Sequence, residues 1–162
     1  MRGINMAVEF LPEERQAFLE INFVERYEKF ALARQFPEEK KNFEAIYKPT
    51  KVKELIESMG YTVTYNGREK FFRFSIAKDE ATGLEAFLTI DVRTGRVELI
   101  WYVNKNDKPY AGTVLLSVAR RLISLDYRIP YPDVRSYEEL REVLEENISL
   151  YLEFFEALKK YQ

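Results

Sequence analysis

Residues 88–103 read LTIDVRTGRVELIWYV, two alternating apolar runs on either side of Arg93-Thr-Gly-Arg96. Strict alternation marks a half-buried strand, and a glycine-containing break between two such runs marks an antiparallel hairpin. Taking Arg93 to Arg96 as the loop sets Val92 against Val97, Ile90 against Leu99 and Leu88 against Trp101. This register gathers Leu84, Ala86, Leu88, Ile90 and Val92 with Val97, Leu99, Trp101 and Val103 on one face, the expected core side. A slip of one residue would set Leu88 against Ile100 and scatter the apolar set, because strand side chains alternate with a period of two.

The same register places Phe87 opposite Tyr102, Thr89 opposite Ile100 and Asp91 opposite Glu98 on the reverse face. That face grades from aromatic at one end to acidic at the turn. Either a flanking helix covers its aromatic half, or the face is open and Phe87, Asp91, Glu98, Ile100 and Tyr102 form a partner-binding surface. Exposed rings supply contact area and carboxylates steer a basic protein ligand. Opposed carboxylates such as Asp91 and Glu98 can also divide acid and base roles. Arg93 and Arg96 beside them favour plain neutralisation, so no catalytic residue is assigned.

Outward from this hairpin, Tyr61, Val63 and Tyr65 alternate with threonines and lead into Asn66-Gly67. Asn-Gly is the strongest two-residue hairpin signal, and it predicts Tyr65 opposite Arg68 and Tyr61 opposite Phe72. Before the strands, Pro12-Glu13-Glu14 opens a long helix carrying Ala17, Ile21, Val24, Tyr27 and Ala31, ended or bent at Phe36-Pro37. A shorter helix, about Glu38 to Tyr47, stops at Pro49. Thr50 suits the N-cap of a third, with Val52, Leu55, Ile56 and Met59 on one face and Gly60 as a left-handed exit.

After the hairpin, Asn104 to Pro109 reads as a polar loop. The next amphipathic stripe is Val114, Leu115, Val118, Leu122 and Leu125, with Gly112 near its start as an entry or close-packing position. Two prolines force Tyr127 to Pro132 out of helix. Ser136-Tyr-Glu-Glu139 has the form of a capping box and starts a final helix to about Lys159. Its buried face is Leu140, Leu144, Ile148, Tyr151, Phe155 and Leu158. The expectation is one α+β domain over residues 1–162. It has a four-stranded antiparallel meander (about 61–103), three N-terminal helices (about 12–59) and two C-terminal helices (about 111–160).

Composition narrows function by elimination. The 162 residues contain no Cys, which removes thiolate nucleophiles, disulfides and Cys-built zinc sites, and no His, the commonest general base and metal ligand. A net charge of −2 gives no footprint for a polyanion, so nucleic acid is not expected as a partner. No P-loop, dinucleotide fingerprint, nucleophile elbow or calcium loop occurs, and no cofactor or metal is expected. The outer face of Ser136 to Glu146 is strongly acidic; it reads as a solvated helix face or as a docking surface for a basic partner. Arg120, Arg121, Arg128 and Arg135, the clear basic cluster, are expected to pair with nearby glutamates. The stretch MRGINMAVEFLPEERQ lacks the apolar run of a leader and no window suits a membrane span, so a soluble cytoplasmic protein is expected, with no membrane partner.

What remains is a protein that works by its surface. The expectation is a non-enzymatic protein-binding or inhibitory protein, monomer or homodimer, that captures another protein, a basic one. Its most concrete form is a bacterial immunity protein neutralising a toxin domain. A secretion-type chaperone, which would dimerise around an apolar groove, and a carboxylate-dependent enzyme, which would need a deep pocket, are the alternatives.

Overall fold

A computed structural model describes residues 10–162 of the chain. Residues 1–9 of the stretch searched for a leader lie outside the described part. The element order is α1 (Pro12–Glu20), α2 (Phe23–Leu32), α3 (Lys40–Ile46), α4 (Pro49–Ser58), β1 (Val63–Asn66), β2 (Phe71–Asp79), β3 (Leu84–Asp91), β4 (Glu98–Lys105), β5 (Lys108–Val114), a 3-10 turn (Leu115–Ser117), α5 (Val118–Leu122) and α6 (Tyr137–Lys159). The strands form one antiparallel meander in the order β1-β2-β3-β4-β5. The α+β class therefore holds, with five strands in place of four and six helices in place of five.

The β3–β4 hairpin has the expected register throughout, from Leu88 opposite Trp101 to Asp91 opposite Glu98. Its core face is sealed: Leu84, Ala86, Leu88, Val92, Val97 and Leu99 are wholly buried and Ile90, Trp101 and Val103 nearly so. The turn itself is pinned from outside. Val97 N–H donates to the Pro132 carbonyl at 2.8 Å and Val134 N–H to the Gly95 carbonyl at 2.7 Å, so the extended segment before α6 braces the loop.

The fifth strand corrects the expected polar loop and helix. Asn106 and Asp107 both take positive φ (51° and 64°) between the paired Lys105 and Lys108, the backbone of a type I′ turn. Pro109 is tolerated because β5 is an edge strand that need not supply every N–H. The predicted stripe consequently begins late: helix starts at Val118, and Leu125 is 64 % exposed. On β5's outer edge, the buried Glu14 carboxylate accepts from Leu11 N–H at 3.1 Å and from the Gly112 backbone, with Arg121 close by. A blocked edge resists pairing with other chains.

The β1–β2 register also differs. Asn66 Oδ1 accepts from Arg68 N–H at 3.0 Å and Glu69 N–H at 2.9 Å, while Lys70 takes φ 65°, giving a longer loop than Asn-Gly alone. Tyr65 then lies opposite Phe72, ring centroids 4.5 Å apart, rather than opposite Arg68. The shift is even, so no side chain changes face. A bulge between Ser75 and Ala77 interrupts the β2–β3 ladder.

In the helices, the long first element breaks at Asn22, whose left-handed backbone (φ 54°) is one that asparagine tolerates. Arg26 caps the break by donating to the Ile21 carbonyl at 3.1 Å and forks onto Glu153 of α6 with two 2.7 Å bonds. Pro49 begins α4 instead of ending α3, with Lys48 rather than Thr50 at the N-cap; proline's missing N–H costs nothing in a first turn. Gly60 provides the left-handed exit at φ 99°. Ser136 caps α6 by accepting from Glu139 N–H at 3.2 Å, but the Glu139 carboxylate returns to Arg135 N–H (2.7 Å), one residue earlier than a capping box requires. All six residues of the expected α6 stripe are buried.

Candidate functional site

Helices and core lie against the Leu88–Trp101 face. On the reverse face Phe87, Thr89, Ile100 and Tyr102 stay partly exposed, and no residue of a described helix lines either of two grooves there. One groove, about 470 Å³, runs over Phe71, Arg73, Thr89, Ile100 and Tyr102 and is bordered by Glu69, Asp91 and Glu98. The second, about 400 Å³, continues across Ile100 and Tyr102 to Gly112 and Val114. The two share Ile100 and Tyr102 and form one shallow trough across the strands. Gly112 keeps it open: a Cβ there would meet the Tyr102 ring at 3.2 Å.

All five residues singled out from the sequence, Phe87, Asp91, Glu98, Ile100 and Tyr102, stand on this face. Four of them line the first groove, while Phe87 stands beside it with its ring 6.2 Å from that of Tyr102. The two carboxylates differ. Asp91 is tied by Arg93, whose Nη2 and Nε donate to it at 2.9 and 3.2 Å. Arg93 is held more firmly protonated by that contact, chiefly through its hydrogen bonds to Asp91. Glu98 is exposed and makes no hydrogen bond or ion pair among the described residues.

Arg73 was not among the sequence candidates. It follows Phe72 in an apolar strand and pairs with Thr89, which pairs with Ile100, so the three form one row across the reverse face. Its guanidinium carbon lies 4.3 Å from the Phe87 ring centroid and 5.0 Å from that of Tyr102, both within cation–π range. The aromatic half of the face is thus centred on a cation. Strand alternation alone placed Arg73 on this side; its contact with two rings depended on which strand lay beside it.

Several other charged groups settle into local pairs. On α6, Arg135 pairs with Glu139 at 2.5 Å and Arg141 with Glu145 at 3.3 Å, while Arg34 bonds Glu146. Hydrogen bonding from Arg135 pulls the Glu139 carboxyl below the usual range. Burial pushes Glu14 the other way, partly offset by its backbone donors and Arg121. Tyr110 is pushed up to about 12 by burial and by donating to Glu13 at 2.5 Å.

Among the described residues no group of three or more Asp or Glu is placed to hold a metal ion, and no helix is long and apolar enough to cross a membrane. The geometry offers a rigid, strand-built platform with a ring-lined centre and a carboxylate border, suited to holding another surface. Comparison with protein-family models, curated proteins and solved structures finds no match to this chain.

Proposed function

We propose that this chain is a protein-binding inhibitory protein that captures its partner on the open face of its sheet. Its most concrete form is an immunity protein neutralising a bacterial toxin domain. The observation that carries the proposal is the reverse face, which no described helix covers and where Ile100 and Tyr102 join two grooves into one trough beside Asp91 and Glu98. A sheet fixes side-chain positions through its ladder, so these rings meet a partner with little ordering cost, which favours tight capture. Glu98, without an ion pair among the described residues, and Glu69 on the same groove favour a basic partner and speed its approach.

Affinity co-purification from the native host tests this. The expected outcome is one basic protein recovered at a fixed stoichiometry, whose toxic activity the purified chain suppresses. Ile100→Arg is expected to abolish recovery without unfolding the chain. Several unrelated unfolded clients would replace the proposal with the chaperone reading. Recovery of no protein would end it.

A further inference from the structure

The guanidinium of Arg73 lies over Phe87 and Tyr102 yet forms no hydrogen bond or ion pair among the described residues, and its Nε is shut off from solvent without an acceptor. The two Nη groups are not shut off in this way, and a carboxylate placed end-on across them gives the guanidinium a charge-assisted pair, among the stronger polar contacts available. The rings beneath it lower the local dielectric on one side, which strengthens any ion pair made from the other. At the turn end of the same groove stands the equally unpaired Glu98. The two positions are two strands and two residues apart, about 12 Å between Cα atoms at ordinary sheet spacings.

We propose that Arg73 is the anchor of this face, receiving an acidic side chain of the partner protein while Glu98 receives a basic one. The contact segment of the partner is therefore dipolar, with Asp or Glu and Lys or Arg set roughly three to four residues apart in an extended chain. This deepens the proposed function and rests on its docking face. It also qualifies the partner's chemistry: a basic protein overall, but carrying an acid at the point of contact. Phe71, Ile100 and Tyr102 supply the apolar floor between the two charges.

The test uses a phage-displayed random dodecapeptide library, fused at the peptide C-terminus so that only side chains offer carboxylates, panned on the intact chain. The expected result is enrichment of peptides with an acid and a base at that spacing. Their binding should fall about tenfold or more in Arg73→Gln, and Arg73→Lys should restore part of it, since lysine keeps the charge without the fork. Glu98→Lys should select against the basic position alone. Thermal melts establish that each variant is folded; should Arg73→Gln fail to fold, the comparison passes to Arg73→Lys. No enrichment, peptides without an acid, or binding indifferent to Arg73 would overturn the assignment. A co-purified partner that tolerates Arg73→Gln but not Ile100→Arg would leave the docking face standing and remove Arg73 from it.

Discussion

Tyr151 lies flat against Trp101, ring centroids 4.3 Å apart and planes 4° from parallel, and its hydroxyl contacts the β3–β4 ladder. The hydroxyl donates to the Phe87 carbonyl at 2.8 Å and accepts from Tyr102 N–H at 2.9 Å. The core side of α6 is thereby bonded to the backbone of the two residues whose rings face outward beneath Arg73. Tyr151→Phe keeps the stack and removes the hydroxyl. It is expected to cost about 1 kcal/mol in urea denaturation. A neutral result would show that the ladder satisfies those groups without it.

Trp101 is expected to be the costliest single truncation in the sheet. It is nearly fully buried, packs against Phe23, Tyr151 and Phe154, and donates from Nε1 to Asn147 Oδ1 at 3.0 Å. Trp101→Ala should lose about 3–5 kcal/mol, followed by circular dichroism because the only tryptophan is gone. Wild-type stability would reverse the assignment of the core face.

Gly95 combines a positive φ of 86° with a close approach of α3, so that a Cβ would sit 2.3 Å from the Lys40 carbonyl oxygen. Gly95→Ala should cost about 2 kcal/mol from backbone conformation alone, and more from the clash. The expected readout is a lowered urea midpoint with unchanged m-value.

Stability should decline on acidification. Glu139 and Glu153 have folded values pulled down by hydrogen bonds from Arg135 and Arg26 respectively. A depressed carboxyl contributes stability that is present above its unfolded value, about 4.3, and is lost as pH falls through the folded value. Glu14, raised by burial, has the opposite sign: its contribution is present below the unfolded value and is lost as pH rises through the folded one. Glu14→Gln, which retains a carbonyl for the Leu11 and Gly112 donors, should therefore raise stability near neutrality relative to its effect at acid pH. Denaturation midpoints from about pH 3 to 8 measure this; a parallel offset across the range would show that Glu14 pays no burial penalty.

Charge reversal at the turn end separates docking from folding. Asp91→Lys with Glu98→Lys should weaken capture of the partner and leave the melting curve close to wild type. Most of the effect should reside in Glu98, because Asp91 is already held by Arg93. Unchanged affinity in calorimetry would remove the carboxylates from the interface.

The sequence by itself determined the β3–β4 register and the buried stripe of α6. In both, a long apolar period meets a sharp local signal, and a slip would turn a complete row of side chains from core to water. It also placed Phe87, Asp91, Glu98, Ile100 and Tyr102 on a common face, since alternation is a property of the chain alone. The tertiary structure decided the rest. Asn22 breaks a helix that its apolar stripe would allow to continue, and Arg26 fixes that break by reaching Glu153, remote in sequence. Asn106-Asp107 turns back into a strand because β4 offers an edge to pair with. The β1–β2 register sets Tyr65 against Phe72, their rings in tilted contact, rather than following the Asn-Gly pair. Above all, whether a helix would cover the second face depends on how helices are shared between layers, which no local pattern encodes. The described helices leave that face open, and with it Arg73 over its two rings.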